Sequence, residues 1–327
     1  MTDWPQVIDA AVAGSDTALG RAVTAMESND FSAIAALGQR VMTSSRQTPR
    51  IGLTGAAGAG KSTLLSALAR AWPGTQRVGG IAVDPSSEVS GGAVLGDRYR
   101  LYSGRSDVVR PDERLFMRSM AARGSSNALS RHVGLGAALF EEVGLSPVLI
   151  ETAGAGQSDT AVKEWVDCLV LVLTPESGDV VQMLKAGVME WADVYVVNKA
   201  DREGADRFAA QLRGLLAARR HKRAGMAERV QLVQANNAES TELKKLIDIV
   251  VGVAEANARS RQELWHDVSR ALLEHAAVQT FRRRLMGSAE WDAAVHRCSA
   301  GELPADALAR ELVTGVQHAS SPTGSNQ

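Results

Sequence analysis

Three groups of residues have the types and spacing to do chemistry together. The densest is Gly55-Ala56-Ala57-Gly58-Ala59-Gly60-Lys61-Ser62. It follows the short apolar run Ile51-Gly52-Leu53-Thr54 and precedes a helix-like run, Thr63 to Ala71. Strand, glycine-rich turn and helix in that order form the setting of a phosphate-binding loop. Glycines let the chain curl until several N–H groups point inward at phosphate oxygens. The following helix adds positive potential at its N-terminus. Lys61 supplies a charge long enough to reach the outer phosphates, and the Ser62 hydroxyl can ligate Mg²⁺.

The second group is Asn198-Lys199-Ala200-Asp201, directly after the apolar run Val194-Tyr195-Val196-Val197. A carboxylate at the C-terminal end of a strand stands where open α/β sheets take ligands. Asp201 can accept two hydrogen bonds from the ring N–H and exocyclic amine of guanine. Adenine lacks that donor pair, so a site built this way leaves a polar group unpaired with ATP. Asn198 and Lys199 would steady the base and the loops around it. The third group is acidic. Asp84 closes the strand-like Gly80-Ile81-Ala82-Val83 and leads into Pro85-Ser86-Ser87, Gly91-Gly92 and Leu95-Gly96-Asp97-Arg98. Glu151 closes Val148-Leu149-Ile150 and is followed by Thr152, Gly154, Gly156 and Gln157. Carboxylates at strand ends beside a phosphate loop suit Mg²⁺ ligation or orientation of a water. Gly154 could give its N–H to a γ-phosphate, and glycine-rich loops of this kind can switch when that phosphate leaves.

These groups need strands to hold them. Apolar runs predict strands at 50–54, 78–83, 106–110, 147–152, 168–173, 193–197 and 230–234. Amphipathic runs predict helices at 61–71, 128–143, 179–191, 203–220 and 240–257. Such alternation indicates an α/β fold with a mostly parallel, doubly wound sheet. Residues 1–48 form an alanine-rich helical segment, with Val23, Met26, Ile34, Leu37 and Val41 at helical spacing. Residues 49–257 form the nucleotide-binding domain. Residues 258–317 form a C-terminal helical region (helices at 259–286, 288–298 and 304–317), and 318–327 reads as a disordered tail.

Composition narrows the function classes. The formal net charge is −1, from 36 basic and 37 acidic residues, so no basic excess points to nucleic acid or a membrane surface. The basic run Arg219 to Arg223 suits the end of a helix. The two cysteines, Cys168 and Cys298, lack metal-ligand spacing, and Cys168 sits in a core-like run. This usage fits a reducing compartment, and no signal-like N-terminus or membrane-length apolar run is present, so the expected location is cytoplasmic. The six histidines are scattered. Glu141-Glu142 reads as a solvated or capping pair, and Trp265, Val268, Leu272 and Leu273 as a helix–helix contact stripe.

Taken together, the motifs resemble those of the G-protein metallochaperones of adenosylcobalamin-dependent acyl-CoA mutases, the MeaB-like family, which also carries the older label of arginine/ornithine transport system kinase. The residues that carry the likeness are GAAGAGKS (55–62), VDPSS (83–87), LGD (95–97), ETAGAGQS (151–158), SGD with Gln182 and Lys185 (177–185), and NKAD (198–201). TALGRAVTAMES (17–28) is similar to the family's leading helix, and RSMAARGS (118–125) to a family loop. The resemblance implies a P-loop GTPase of the branch that includes signal-recognition and nickel-insertion GTPases. Gly55, Ala57, Gly58, Ala59, Gly60, Lys61, Ser62 and Thr63 would bind phosphates. Asp84, Asp97 and Glu151, with Ser62, would surround Mg²⁺ and the γ-phosphate. Gly154 to Ser158 would form one switch, and Asp179, Gln182 and Lys185 would lie in another that meets the mutase. GTP binding and hydrolysis would then gate cofactor loading and removal of damaged cobalamin, with adenosylcobalamin belonging to the mutase. A homodimer, and a cobalamin adenosyltransferase as a further partner, are also implied.

Departures from the family pattern mark this chain. Ala57 and Ala59 replace proline and valine, and Asn127-Ala128 replaces paired glycines. The last base-contacting motif reads Gln234-Ala235-Asn236-Asn237, where Ala235 could give its N–H to the guanine carbonyl oxygen. The C-terminal helices match the family's dimerisation arm poorly. No arginine finger is identifiable and Gln157 has no evident Ras-like role, so hydrolysis is expected to be slow until a partner completes the site. Methylmalonyl-CoA mutase is the default client; isobutyryl-, ethylmalonyl- and 2-hydroxyisobutyryl-CoA mutases are others, and the divergent C-terminal region tilts toward a less common one. Two other readings use the same loop: an authentic kinase, and a GTPase that inserts nickel or zinc.

Overall fold

The computed structural model describes residues 2–44, 47–84, 114–121, 126–152, 162–176, 191–218, 226–237 and 239–319. Among these, seven strands form one sheet in which every pairing is parallel. They are β1 (Arg50–Thr54), β2 (Val78–Asp84), β3 (Leu115–Ala121), β4 (Val148–Glu151), β5 (Cys168–Leu173), β6 (Val194–Asn198) and β7 (Val230–Val233). The helices are α1 (Trp4–Val12), α2 (Asp16–Glu27), α3 (Phe31–Thr43), α4 (Lys61–Ala71), α5 (Ser126–Glu142), α6 (Ala205–Ala218), α7 (Thr241–Asn257), α8 (Arg261–Leu285), α9 (Ala289–Ser299) and α10 (Ala305–Ala319). The strand order is β3-β2-β4-β1-β5-β6-β7. From β1 the chain goes out to β2 and β3, returns to place β4 between β2 and β1, and then builds β5, β6 and β7 on the other side; the crevice at the strands' C-terminal ends opens beside β1, where the winding reverses.

The central strands are apolar throughout because both of their faces are covered. Every residue of β1, β5 and β6 is buried. Alternate side chains go to opposite faces. Cys168, Val170 and Val172 pack with Leu64, Leu65 and Leu68 of α4 and Leu246 and Val250 of α7. Leu171 and Leu173 join Tyr195 and Val197 against Phe208 and Leu212 of α6. Burial drives the Cys168 thiol far above its ordinary range, so it is an inert core residue. On the α6 face, α5 packs on β2 and is covered in turn by α2 and α3. Each of these helices starts on a side-chain cap: Ser15 accepts from Ala18 N, and Asp30 from Ser32 N and Ala33 N. Val23, Met26, Ile34, Leu37 and Val41 are all buried, as their spacing predicts.

Two segments differ from expectation. β3 was not foreseen, and residues 118–121, read as part of a loop, continue it. It pairs with β2 along its whole length, Val78 opposite Leu115 to Asp84 opposite Ala121. Its polar residues are used by other elements: Arg118 donates to Glu27 (2.6 Å) and to Thr24 (3.0 Å) on α2. The predicted strand at 106–110, most of the helix at 179–191, the basic run 219–223 and most of the tail lie outside the described residues.

Glu141 and Glu142 are neither solvated nor capping. They are 2% and 6% exposed and face three arginines. Glu141 Oε2 accepts from Arg50 Nη2 (2.7 Å) and Glu142 Oε2 from Arg261 Nη2 (3.0 Å), while Arg40 Nε reaches Glu142 Oε1 (3.1 Å). Glu141 Oε1 also takes the Thr48 N–H (3.0 Å). Asp167 completes the cluster: its carboxylate accepts the Arg50 N–H (2.9 Å) and its own N–H donates to Arg50 O (2.8 Å). Burial pushes the Asp167 carboxyl upward, and the Arg50 N–H bond pulls the other way. The cluster joins the start of β1, the end of α5 and the start of α8 at the N-terminal edge of the sheet.

The chain divides into two compact units, Met1–Val268 and Ser269–Gln327. In the first, Trp265 of α8 lies against Gly38 of α3, where an added Cβ would stand 2.6 Å from the indole. In the second, Leu285, Ala294 and Leu308 are buried, and Arg297 bonds Glu311 (2.8 Å). The expected stripe on α8 breaks at its end: Leu272 is buried but Leu273 is 72% exposed. Neighbouring helical residues point about 100° apart, and on α8 that turn carries Leu273 off the buried face.

Removing one partner of a buried pair strands a charge, so Glu141→Ala should destabilise the protein by about 3 kcal/mol in urea unfolding. Asp306→Ala, which breaks the exposed Asp306–Arg310 pair, should leave the midpoint unchanged. Asp167 gives a pH signature. A carboxyl raised by folding contributes stability that is full below its unfolded pKa and lost as pH rises through its folded one. Relative to Asp167→Asn, the wild-type chain should lose stability as pH climbs above about 4. Urea midpoints measured across that range check the slope; parallel curves would refute it.

Candidate functional site

The turn between β1 and α4 is shaped by what surrounds it. At Gly55 (φ +143°) an added Cβ would stand 2.1 Å from the backbone oxygen of Val172, which cannot move aside without breaking β5. Gly60, with φ +89°, is the N-cap of α4, and an added Cβ there would stand 2.3 Å from the Asn198 side-chain nitrogen. No side chain caps α4. The start of a helix presents N–H groups and the positive end of the dipole to an anion. Lys61 is 6% exposed; its ammonium crosses the turn and donates to Gly55 O (2.9 Å) and Ala56 O (3.1 Å). The positive charge is thus held inside the loop. Ala57 and Gly58 are exposed at the crest of the turn, Ala59 is buried beneath it, and Thr63 is exposed on the first turn of α4.

Ser62 and Glu151 meet. The Ser62 hydroxyl donates to Glu151 Oε1 at 2.6 Å, across the gap between α4 and the end of β4. Two oxygen ligands at this separation are the donor set a hard divalent cation takes. Below them Thr152 Oγ1 donates to Thr54 Oγ1 (3.2 Å), and the Thr152 N–H to Leu53 O (2.9 Å), which extends the β1–β4 ladder to the site. The sequence reading named Thr152 within ETAGAGQS and Thr54 at the end of the first apolar run, but assigned neither a role. Asp84 ends β2, whose Ala82 lies opposite Glu151, so its backbone is two residues further toward the same edge. Asp97, Gly154, Gln157, Asp179, Gln182 and Lys185 lie outside the described residues. Among the described residues, no three His, Cys, Asp or Glu side chains gather to hold a metal.

Asn198 joins the turn before α4 to the loop after β7. It is 3% exposed; its Nδ2 donates to Ala59 O (2.9 Å) and its Oδ1 accepts the Ala235 N–H (3.2 Å). The structure therefore commits the Ala235 N–H to Asn198, whereas the sequence reading offered it to a base. Lys199 turns the chain with φ +56°, the left-handed region, and the Ala200 N–H then donates to Val233 O (3.3 Å). Asp201 stands exposed beyond that turn. The phosphate-loop residues, Glu151 and the 198–201 turn thus share the C-terminal edge of the sheet.

A family model described as methylmalonyl Co-A mutase-associated GTPase MeaB matches residues 19–286. A Pyrococcus horikoshii protein with a provisional GTPase name is 40% identical over 202 residues, 62% of each chain. The chain thus spans less than two thirds of that relative's length. A Mycobacterium bovis protein, also provisionally named a GTPase, is 33% identical over 321 residues, 93% of this chain and 92% of that one. A fused isobutyryl-CoA mutase of Cupriavidus metallidurans is 35% identical over 207 residues, 62% of this chain and 18% of its own. The crystal structure of an LAO/AO transport system kinase shares the fold, with a TM-score of 0.62 at 22% identity over 97% of this chain and 99% of that one.

A Cβ at position 60 should displace Asn198 and strain the left-handed cap. Gly60→Ala is expected to weaken binding of a fluorescent guanosine diphosphate by about tenfold or more. Equal affinity for the two proteins in a titration would contradict that expectation.

Proposed function

The chain belongs to the MeaB family of methylmalonyl-CoA mutase-associated GTPases, and we propose that it binds and hydrolyses GTP as the chaperone of an acyl-CoA mutase. The observation that carries this reading is the Asn198 side chain, which bonds the phosphate loop at Ala59 and the base loop at Ala235 at once. A nucleotide bridging those loops would place its phosphates at the uncapped start of α4 and its base at Asp201. Guanine would be read by the Asp201 carboxylate, with Lys199 and Ala235 steadying the pocket. Ser62 and Glu151 would hold Mg²⁺ together with Asp84 and Asp97, and Mg²⁺ would neutralise charge on the outer phosphates. Gly154 would sense the γ-phosphate.

The mutase partner is supported by relatives in which the matching segment belongs to a fused isobutyryl-CoA mutase. In this reading GTP binding and hydrolysis gate the loading of adenosylcobalamin into the mutase and the release of damaged cofactor. Cobalamin remains the mutase's cofactor. Hydrolysis is slow in the isolated protein and rises when the mutase completes the site. A cobalamin adenosyltransferase would deliver the cofactor, and the protein would act as a homodimer.

The test is GTP hydrolysis with and without purified acyl-CoA mutases, isobutyryl-CoA mutase first, with ATP as control. Turnover should be selective for GTP and rise with one mutase, and Lys61→Ala should lower it about a hundredfold or more. Turnover indifferent to every mutase would remove the chaperone reading. Equal use of ATP would remove the guanine reading, and transfer of labelled phosphate to a protein would favour a kinase.

A further inference from the structure

The turn that carries Asp201 is held from two sides. On the β7 side the Ala200 N–H donates to Val233 O (3.3 Å). On the β5 side the neighbour of Asp201, Arg202, reaches the loop after β5 and gives its Nη1 to Glu176 Oε1. The Arg202 end of this ion pair is tied to the turn by its backbone. The Arg202 N–H donates to Lys199 O (3.0 Å), and Arg202 O accepts from the Ala205 N–H (3.3 Å) as α6 begins. The Arg202 bond is the largest of the influences that hold the Glu176 carboxyl below its ordinary range. The pair is half exposed, at 50% for Arg202 and 46% for Glu176, so it adds little to global stability. Its reach is local: it ties the residue next to Asp201 to the loop after β5.

We propose that Glu176 and Arg202 are positioning residues for base selection: their ion pair sets the angle of the turn that presents Asp201, and with it the preference for guanine over a purine lacking the exocyclic amine. The proposal rests on Asp201 as the base-reading carboxylate. Two bonds from guanine to one carboxylate require both oxygens to be aimed, and one bond does not. A turn released from the β5 loop should therefore lose more affinity for guanine than for hypoxanthine, because the unpaired polar group is costly only where the second bond existed.

The experiment measures dissociation constants for GDP and IDP with the full-length chain, E176R, R202E and the double variant E176R/R202E. Each single variant should weaken GDP about fivefold and IDP less than about twofold, and the double variant should bring GDP back to within about twofold of wild type. At 1 M salt, where ion pairs are screened, the wild-type GDP/IDP ratio should fall toward that of the single variants. The urea midpoint should not move. Equal weakening of GDP and IDP, unchanged GDP affinity in the single variants, or no recovery in the double variant would each overturn the proposal. Asp201→Asn separates it from its premise: that variant should exchange GDP for XDP preference. Its failure to do so would remove the base reading itself, whatever the ion-pair variants show.

Discussion

The side-chain amide of Asn198 is shielded from water, so both of its polar ends must find partners inside the protein, and the partners it finds belong to two different loops. Ala59 O takes the amide hydrogen and the Ala235 N–H serves the amide oxygen. Leaving either end unpaired would cost about 1–3 kcal/mol, so the three segments move together or not at all. Gly60 obeys the same constraint, since no side chain fits between it and the amide. The phosphate turn, the 198–201 turn and the end of β7 are therefore one bonded unit. Each is anchored to a buried parallel strand whose own position is set by apolar packing on both faces.

The opposite edge of the sheet is built differently. There the chain buries Arg50, Arg261, Glu141, Glu142 and Asp167 in mutual contact. Desolvating so many charges is expensive, and the bonds among them roughly offset that cost. What the cluster adds is placement. It fastens the first residue of β1 to α5 and α8, and β1 is the strand that delivers the chain into the phosphate turn. Buried arginine–carboxylate pairs are thus gathered at the edge remote from the phosphate turn, while that turn holds a single buried ammonium, Lys61, on the carbonyls of Gly55 and Ala56.

Much of this was legible in the sequence, for a physical reason. The phosphate turn and the 198–201 turn are contiguous, and their glycines, lysine and carboxylate follow apolar runs that can only be buried strands. The boundaries of β1, α4 and β5 matched expectation because Thr54–Gly55, Gly60–Lys61 and Asp167–Cys168 mark abrupt changes in polarity. β3 was obscured because Arg118 and Ser119 interrupt an otherwise apolar run, and the partners of Arg118 lie on α2. Glu141 and Glu142 looked solvated because a pair of carboxylates near a helix end usually is. The arginines that bury them are 91 and 119 residues away in the chain. The meeting of Ser62 with Glu151 was foreseen as chemistry, since both were placed at a metal, whereas the commitment of the Ala235 N–H to Asn198 depends on a distance that no motif spacing contains.

Lys199 holds a backbone conformation that a side chain normally avoids, at a cost of about 1–2 kcal/mol. The surrounding bonds from Asn198, Ala200 and Arg202 hold it there, so its strain belongs to the fold. In the proposed reading a base would meet a turn whose shape these bonds set, so little ordering entropy would be lost on contact, and affinity would be limited by the bonds made and not by a loop still to be organised.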